Sequence, residues 1–284
     1  MKNGKLAEVH GSWKKYFDKK MTTSKELRDS KKMPVLFIGH GSPMNAIEDN
    51  EFTKEWKKIA SKILHPSCIL CISAHWLTSD TQITAMENPK TIHDFYGFPK
   101  ELEQIVYPAK GSMEYAKLVT DTLNDINVKL NTTWGLDHGT WTVLRHMYPK
   151  ADIPVIQLSI NYGLPLQKHF EIGKKLTVLR DKGILIIGSG NLVHNLGMIN
   201  FDNAAKPFEW ATEFDNFVKK NLETKDFGSL INYKNQSSAR LAHPTNDHYL
   251  PLMYVIGASD KQNPKFSCEK IVYSSLSMRC IKYE

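Results

Sequence analysis

Eleven histidines are spread along this 284-residue chain, and several stand where short apolar runs end. His40 follows VLFI in I-G-H-G-S-P, His75 follows CILCIS in S-A-H-W, and His194 follows ILII in G-S-G-N-L-V-H-N. One such histidine is ordinarily a hydrogen-bonded loop residue. Three, each delivered by a separate strand, point further, because ligands of open α/β sheets bind beyond the carboxyl ends of the strands. Imidazole suits zinc and iron, and a site assembled from distant segments is usual for a catalytic metal. The glycines around His40 let the backbone turn sharply and approach a ligand closely. This is no local motif such as H-E-x-x-H, so spacing alone indicates a metal site without fixing its ligands.

The remaining histidines divide by context. His138 lies in W-G-L-D-H-G-T-W, and His243 and His248 lie in H-P-T-N-D-H-Y-L-P. His93, in T-I-H-D-F-Y-G-F-P, reads equally well as a loop cap or a substrate contact. His10, His65, His146 and His169 read as surface or loop residues. Other chemistries are poorly supported. G-S-G-N lacks the third glycine of a dinucleotide fingerprint and the Lys-Ser/Thr of a P-loop, and Ser42 has no G-x-S-x-G elbow. Cys68 and Cys71 are three apart within an apolar run, so on a strand they face opposite sides and cannot share a zinc.

The elements that must position these residues alternate. Val35–Ile38, Ile69–Ser73, Val155–Ile160 and Ile184–Ile187 read as buried strands. Phe52–Ile63, Met113–Leu123 and Leu166–Arg180 read as helices, the last with Gly183 as its C-cap. Trp210, Phe214, Phe217, Val218 and Leu222 mark another helix face behind Pro207, and residues 271–282 read as late strands. The alternation predicts an α/β fold with a mixed, largely parallel sheet flanked by helices.

Charge and composition narrow the function. The net charge is +7, but residues 1–32 hold ten Lys/Arg against four Asp/Glu, so +6 sits there and +1 is left for residues 33–284. The body has no basic stripe for a phosphate backbone, which argues against nucleic acid as a partner. Residues 1–32 read as a basic extension that can pack on another subunit, and 33–284 as a single catalytic domain. No apolar run is long enough to span a membrane, and the N-terminus lacks the apolar core of a secretory signal. Four cysteines form no disulfide scaffold, so a reducing, cytoplasmic location is expected.

Taken in order, G-H-G-S-P-M-N at 39–45, S-A-H-W at 73–76, T-I-H-D-F-Y-G-F-P at 91–99, D-H-G-T-W at 137–141, N-L-V-H-N at 191–195 and D-H-Y-L-P-L at 247–252 resemble the 4,5-DOPA extradiol dioxygenase family. These are class III ring-cleaving dioxygenases, similar in fold to the catalytic subunit of protocatechuate 4,5-dioxygenase. Each motif is weak singly; six in one collinear order from about Met33 onward are specific. The resemblance implies that His40, His75 and His248 hold one divalent metal, Fe(II) for turnover, with Zn(II) able to occupy the same site. It implies that His194 acts as base, or as a fourth ligand to zinc, and that His138 faces substrate or dioxygen. A catechol would then be opened by dioxygen to a semialdehyde. His243 stays outside the implied set. Trp76, Trp141 and Tyr249 are candidates to wall a flat apolar pocket. Three other readings use the same histidines: a zinc-dependent hydrolase, a tetrapyrrole chelatase, against which S-A-H-W and D-H-Y-L-P argue, and a non-catalytic Memo-like binding protein.

Overall fold

Four apolar runs make the parallel part of the central sheet: β1 (Val35–Gly39), β2 (Cys68–Ser73), β3 (Val155–Gln157) and β4 (Ile184–Gly190). Two C-terminal strands, β5 (Lys265–Ser267) and β6 (Cys280–Tyr283), complete the order β3-β2-β4-β1-β6-β5. The β1–β6 and β6–β5 pairs are antiparallel, so the sheet is mixed, as predicted. This computed structural model describes residues 32–202 and 204–284, and Met33–Glu284 is one compact unit. The basic extension up to residue 31, and His10 within it, lie outside the described residues.

The parallel strands are buried throughout because both faces are covered. Alternate side chains feed two cores. Val35, Phe37, Leu70, Ile184 and Ile186 pack on one face with α4 (Leu166–Leu176), α5 (Glu209–Glu223) and α6 (Leu250–Ala258). Leu36, Ile38, Ile69, Leu185 and Ile187 pack on the other with α1 (Glu51–Ser61) and α3 (His138–Met147). Helix α2 (Met113–Thr122) sends Ala116 and Val119 into the first core. Cys68 and Cys71 fall in opposite cores, as the strand period requires.

Several predicted bounds shift. The predicted helix Leu166–Arg180 is α-helical to Leu176 and continues as a 3-10 turn over Thr177–Lys182, closed by left-handed Gly183. Val155–Ile160 is two strands, since Ile160–Asn161 leaves the main sheet to pair with Leu77–Thr78. Helix α6 has no counterpart among the predictions. All nine of its residues are buried, so it carries no amphipathic pattern to read.

A histidine cluster at the sheet's carboxyl edge

Register sets the geometry of the edge. Gly39 pairs with Gly190, and Ser73 pairs with Ser189, so β1, β2 and β4 end level. His40 and His75 follow directly, and the His40 amide bonds to the Gly190 carbonyl at 3.1 Å. His194 stands four residues past β4, its amide on the Ala242 carbonyl at 2.9 Å and its backbone bridged to Leu276. His138 is the first residue of α3, behind the N-cap Asp137. His248 comes from the turn before α6, held by Asn191 N–H on its carbonyl at 3.0 Å. That approach requires glycine at 190, where a Cβ would lie 2.3 Å from the His248 oxygen. Gly41, at φ +64, makes the turn that follows His40.

Five rings therefore converge from five segments. The centroids of His40, His75 and His248 form a near-equilateral triangle, at 5.0, 5.2 and 5.0 Å. Imidazoles aiming one nitrogen each at a shared metal, with N–metal near 2.1 Å, have centroids roughly 4.6–5.3 Å apart. His40 Nε2 and His75 Nε2 are 3.1 Å apart, as two nitrogens on one metal would be. His138 comes within 3.9 Å of His75, centroid to centroid, too close for both to share a metal at an open angle. His194 stacks on His248 at 3.4 Å with planes 5° apart. A metal lies in the plane of an imidazole that binds it, so two parallel stacked planes cannot both contain one ion. Distance alone would also admit His40–His75–His138 and His194–Asp247–His248 as ligand groups.

The far nitrogens of the triangle are all occupied. His40 Nδ1 lies 3.0 Å from Ser189 Oγ, whose hydroxyl in turn donates to the Gly139 carbonyl at 2.6 Å. His248 Nδ1 is hydrogen-bonded to Asp247 Oδ2 at 2.5 Å, and His75 Nδ1 is in charge contact with Asp94 Oδ2 at 3.2 Å. Partners of this kind fix the tautomer, leaving Nε2 free to ligate. Asp94 also serves His138: its Oδ1 accepts the His138 amide at 2.9 Å, and its Oδ2 lies 3.0 Å from His138 Nδ1. That ring contact is off the N–H axis, so it is a charge contact rather than an aligned hydrogen bond. Asp94 and Asp247 were not singled out in the sequence, although each adjoins a motif histidine, in H-D-F-Y and D-H-Y-L.

Burial sets the protonation. Desolvation, then the neighbouring rings, lowers His40 far below the usual imidazole range and lowers His194 to about 2. Desolvation takes His248 down to about 4 against the pull of Asp247, and lowers His138 against that of Asp94. His75 is the exception: burial opposes its charge, but Asp94 and Asp137 outweigh it and raise the ring. For Asp94, burial is likewise outweighed, here by His138 and His75, which hold the carboxyl well below its ordinary range. A divalent metal binds the neutral imidazole, the form that burial favours at His40 and His248.

The cluster floors a cavity of about 590 Å³. Its upper wall is Phe95, Phe98, Leu196, Ile199, Phe201 and Tyr273. The aromatic residues expected from the sequence are elsewhere. Trp76 stacks on Trp134, Trp141 is buried with its indole N–H on the Ile92 carbonyl, and Tyr249 is buried with its hydroxyl on Leu230. His93 bonds the Ile105 carbonyl and caps its loop outside the cavity. His243 is a core residue on the Leu192 carbonyl, ringed by Phe214, Tyr233 and Tyr249. His65 is exposed, but His146 and His169 are buried helix residues rather than surface ones, bonded to the Asn45 carbonyl and near the Tyr254 hydroxyl.

The chain is similar to known proteins over most of its length. Residues 34–279 match the family described as the catalytic LigB subunit of aromatic ring-opening dioxygenase. The chain is 46% identical to the 4,5-DOPA dioxygenase extradiol of Escherichia coli (strain K12), over 90% of this chain and 96% of that one. It is 39% identical to the 4,5-DOPA dioxygenase extradiol of Beta vulgaris, over 81% and 88%. The crystal structure of an uncharacterized Escherichia coli K12 protein superposes with a TM-score of 0.78 at 43% identity, over 89% of this chain and 100% of that one.

Proposed function

The chain belongs to the family of the catalytic LigB subunit of aromatic ring-opening dioxygenase, and from that premise we propose that His40, His75 and His248 hold one iron(II) on which a DOPA-like catechol is opened. It is a metal-dependent extradiol dioxygenase of class III fold, acting on a small-molecule catechol with dioxygen. The observation that carries the ligand assignment is the equal-sided triangle with every Nδ1 braced. Three imidazole ligands on one side would leave several positions open, and iron(II) there would supply redox chemistry and a site for the catechol oxygens.

The chain's own groups do the rest. His194 stands off the triangle's shared point, stacked parallel on His248, so we give it the role of taking a catechol proton rather than that of a fourth ligand. His138, which lines the cavity with the Asp94 carboxylate 3.0 Å behind its Nδ1, is placed to face substrate or dioxygen. Phe95 packs edge-on to His138 at 5.5 Å and helps exclude water there. The four cysteines are free, in keeping with the cytoplasmic location we expect, and no helix among the described residues is long and apolar enough to cross a membrane.

Anaerobic loading with iron(II), followed by air and DOPA, tests the reading. Dioxygen uptake matched to catechol loss, with a visible-absorbing semialdehyde, is expected. No uptake with any catechol at full iron occupancy would sink it. The same protein loaded with zinc should be inactive; turnover with zinc and no dioxygen consumption would favour the hydrolase reading instead.

A further inference from the structure

The rings of His40, His75 and His248 are oriented by side chains at their far nitrogens. The His194 ring makes no hydrogen bond among the described residues. Stacking on His248 fixes its tilt, so its place over the cavity is set by its backbone. That backbone lies against residues 275–277 as a short antiparallel pair. His194 faces Leu276 across it. On either side, Ser277 N–H donates to the Val193 carbonyl at 3.0 Å and Asn195 N–H to the Ser275 carbonyl at 3.3 Å. Two side chains reinforce the pair: the Ser275 hydroxyl donates to the Asn195 carbonyl at 2.9 Å, and Asn191 Nδ2 to the Ser277 carbonyl at 2.8 Å. A two-stranded pair this short has little stability of its own, so residues 275–277 must themselves be held.

The anchor is a buried acid on a helix. Asp215, in α5, accepts the Ser277 hydroxyl at Oδ1, 2.7 Å away. The Arg279 guanidinium grips the same carboxylate with two nitrogens, Nε at 3.2 Å from Oδ1 and Nη2 on Oδ2. Its remaining nitrogen, Nη1, reaches Glu269. The Arg279 amide donates back to the Ser277 hydroxyl oxygen at 3.3 Å, so that hydroxyl both donates and accepts. Asp215, Ser277 and Arg279 are all buried. A buried ion pair adds little net stability, because desolvation offsets the attraction, and its best-attested use is to fix a register. Here the register belongs to Ser277. A slip of one residue would carry Leu276 away from His194, since strand side chains alternate in direction.

We propose that Asp215 and Ser277 are positioning residues for His194. The carboxylate, clamped by Arg279, holds the Ser277 hydroxyl, and residues 275–277 hold His194 where it can take a catechol proton. Neither residue lines the cavity, so neither touches substrate, and neither bonds to a histidine of the metal triangle. Loss of the link therefore costs turnover and spares substrate and metal binding. The inference rests on the base role given to His194 above.

Ser277→Ala breaks the link and leaves the Asp215–Arg279 pair in place, whereas Asp215→Asn weakens both. Three quantities are measured for each variant and for the two combined: kcat and KM for DOPA at saturating iron, iron affinity, and the ultraviolet spectrum of 4-methylcatechol bound to the zinc-loaded protein. The spectrum reads the loss of a catechol proton without any turnover. Ser277→Ala should lower kcat about tenfold or more, with KM and iron affinity within about twofold and a weaker catecholate band. Asp215→Asn should do the same. The double variant should fall no further than Asp215→Asn alone, because both act through one link. Where Asp215→Asn fails to fold, Ser277→Ala decides. Unchanged kcat and an unchanged band in Ser277→Ala overturn the inference. So does a loss of kcat matched by a loss of iron affinity, or losses that add in the double variant. His194→Ala is the control: if it keeps both turnover and the catecholate band, the base role is wrong and this inference falls with it.

Discussion

At the scale of single residues, the site is a set of histidines and the two acids behind them. Asp94 and Asp247 do different work, and substitution separates them. Asp247→Asn removes the charge behind one ligand, so metal affinity should fall about 10–100-fold, with turnover largely recovered at saturating iron. Asp94→Asn touches both His75 and His138, so the kcat of the fully loaded enzyme should fall as well. Metal titration followed by oxygen uptake at saturation makes the distinction, and equal recovery of both variants would remove the second role of Asp94. His194→Ala should abolish turnover while iron is retained, because stacking on His248 keeps it off the shared metal. Loss of iron in step with activity would make it a ligand after all. Strand-end placement brought His40, His75 and His194 into view, whereas His248 and His138 needed the collinear motifs. The acids stayed hidden because an Asp beside a His in a loop looks like any turn residue until a ring nitrogen is seen within reach of it.

At the scale of elements, β4 and the turn before α6 are a matched pair. The glycine at 190 leaves room for the His248 carbonyl, and the Asn191 amide pins it. A Gly190→Ala methyl has no space there, so the segment must move, at a cost of about 1–3 kcal/mol. The expected result is a lower Tm and weakened metal binding with the far-UV spectrum preserved; unchanged metal affinity would show that His248 is held by other means. The strands were legible because VLFI, CILCIS and ILII are buried on both faces and carry no competing helical period. Helix α6 was not, for the complementary reason: a helix buried all round shows no stripe. The aromatic wall was missed in the same way. Trp76, Trp141 and Tyr249 stand near site histidines in sequence, but Trp141 and Tyr249 point into cores and Trp76 stacks on Trp134, while the residues that wall the cavity above the histidines come from the 94–98, 196–201 and 273–276 segments.

At the scale of the whole molecule, buried neutral histidines tie stability to pH. His169 and His243, both outside the cavity, are lowered by burial to about 4. Unfolded, each would take its proton near pH 6.5, so the unfolded state gains protons first as pH drops. Stability is therefore full above about pH 6.5 and is lost as pH falls from there to about 4, by up to about 1.4 kcal/mol per pH unit for each ring. Thermal unfolding of the metal-free protein at pH 7, 5.5 and 4 should show Tm falling across that window, and His169→Gln should flatten the slope; a level profile would contradict it. The convergence of the rings has a further consequence in time. His40 and His248, the outermost members of the triangle, are 208 residues apart in sequence. A growing chain cannot assemble the triangle until nearly all of it has left the ribosome. No fragment ending before His248 can complete it, and an occupied triangle would therefore certify that the chain has been made at least as far as His248.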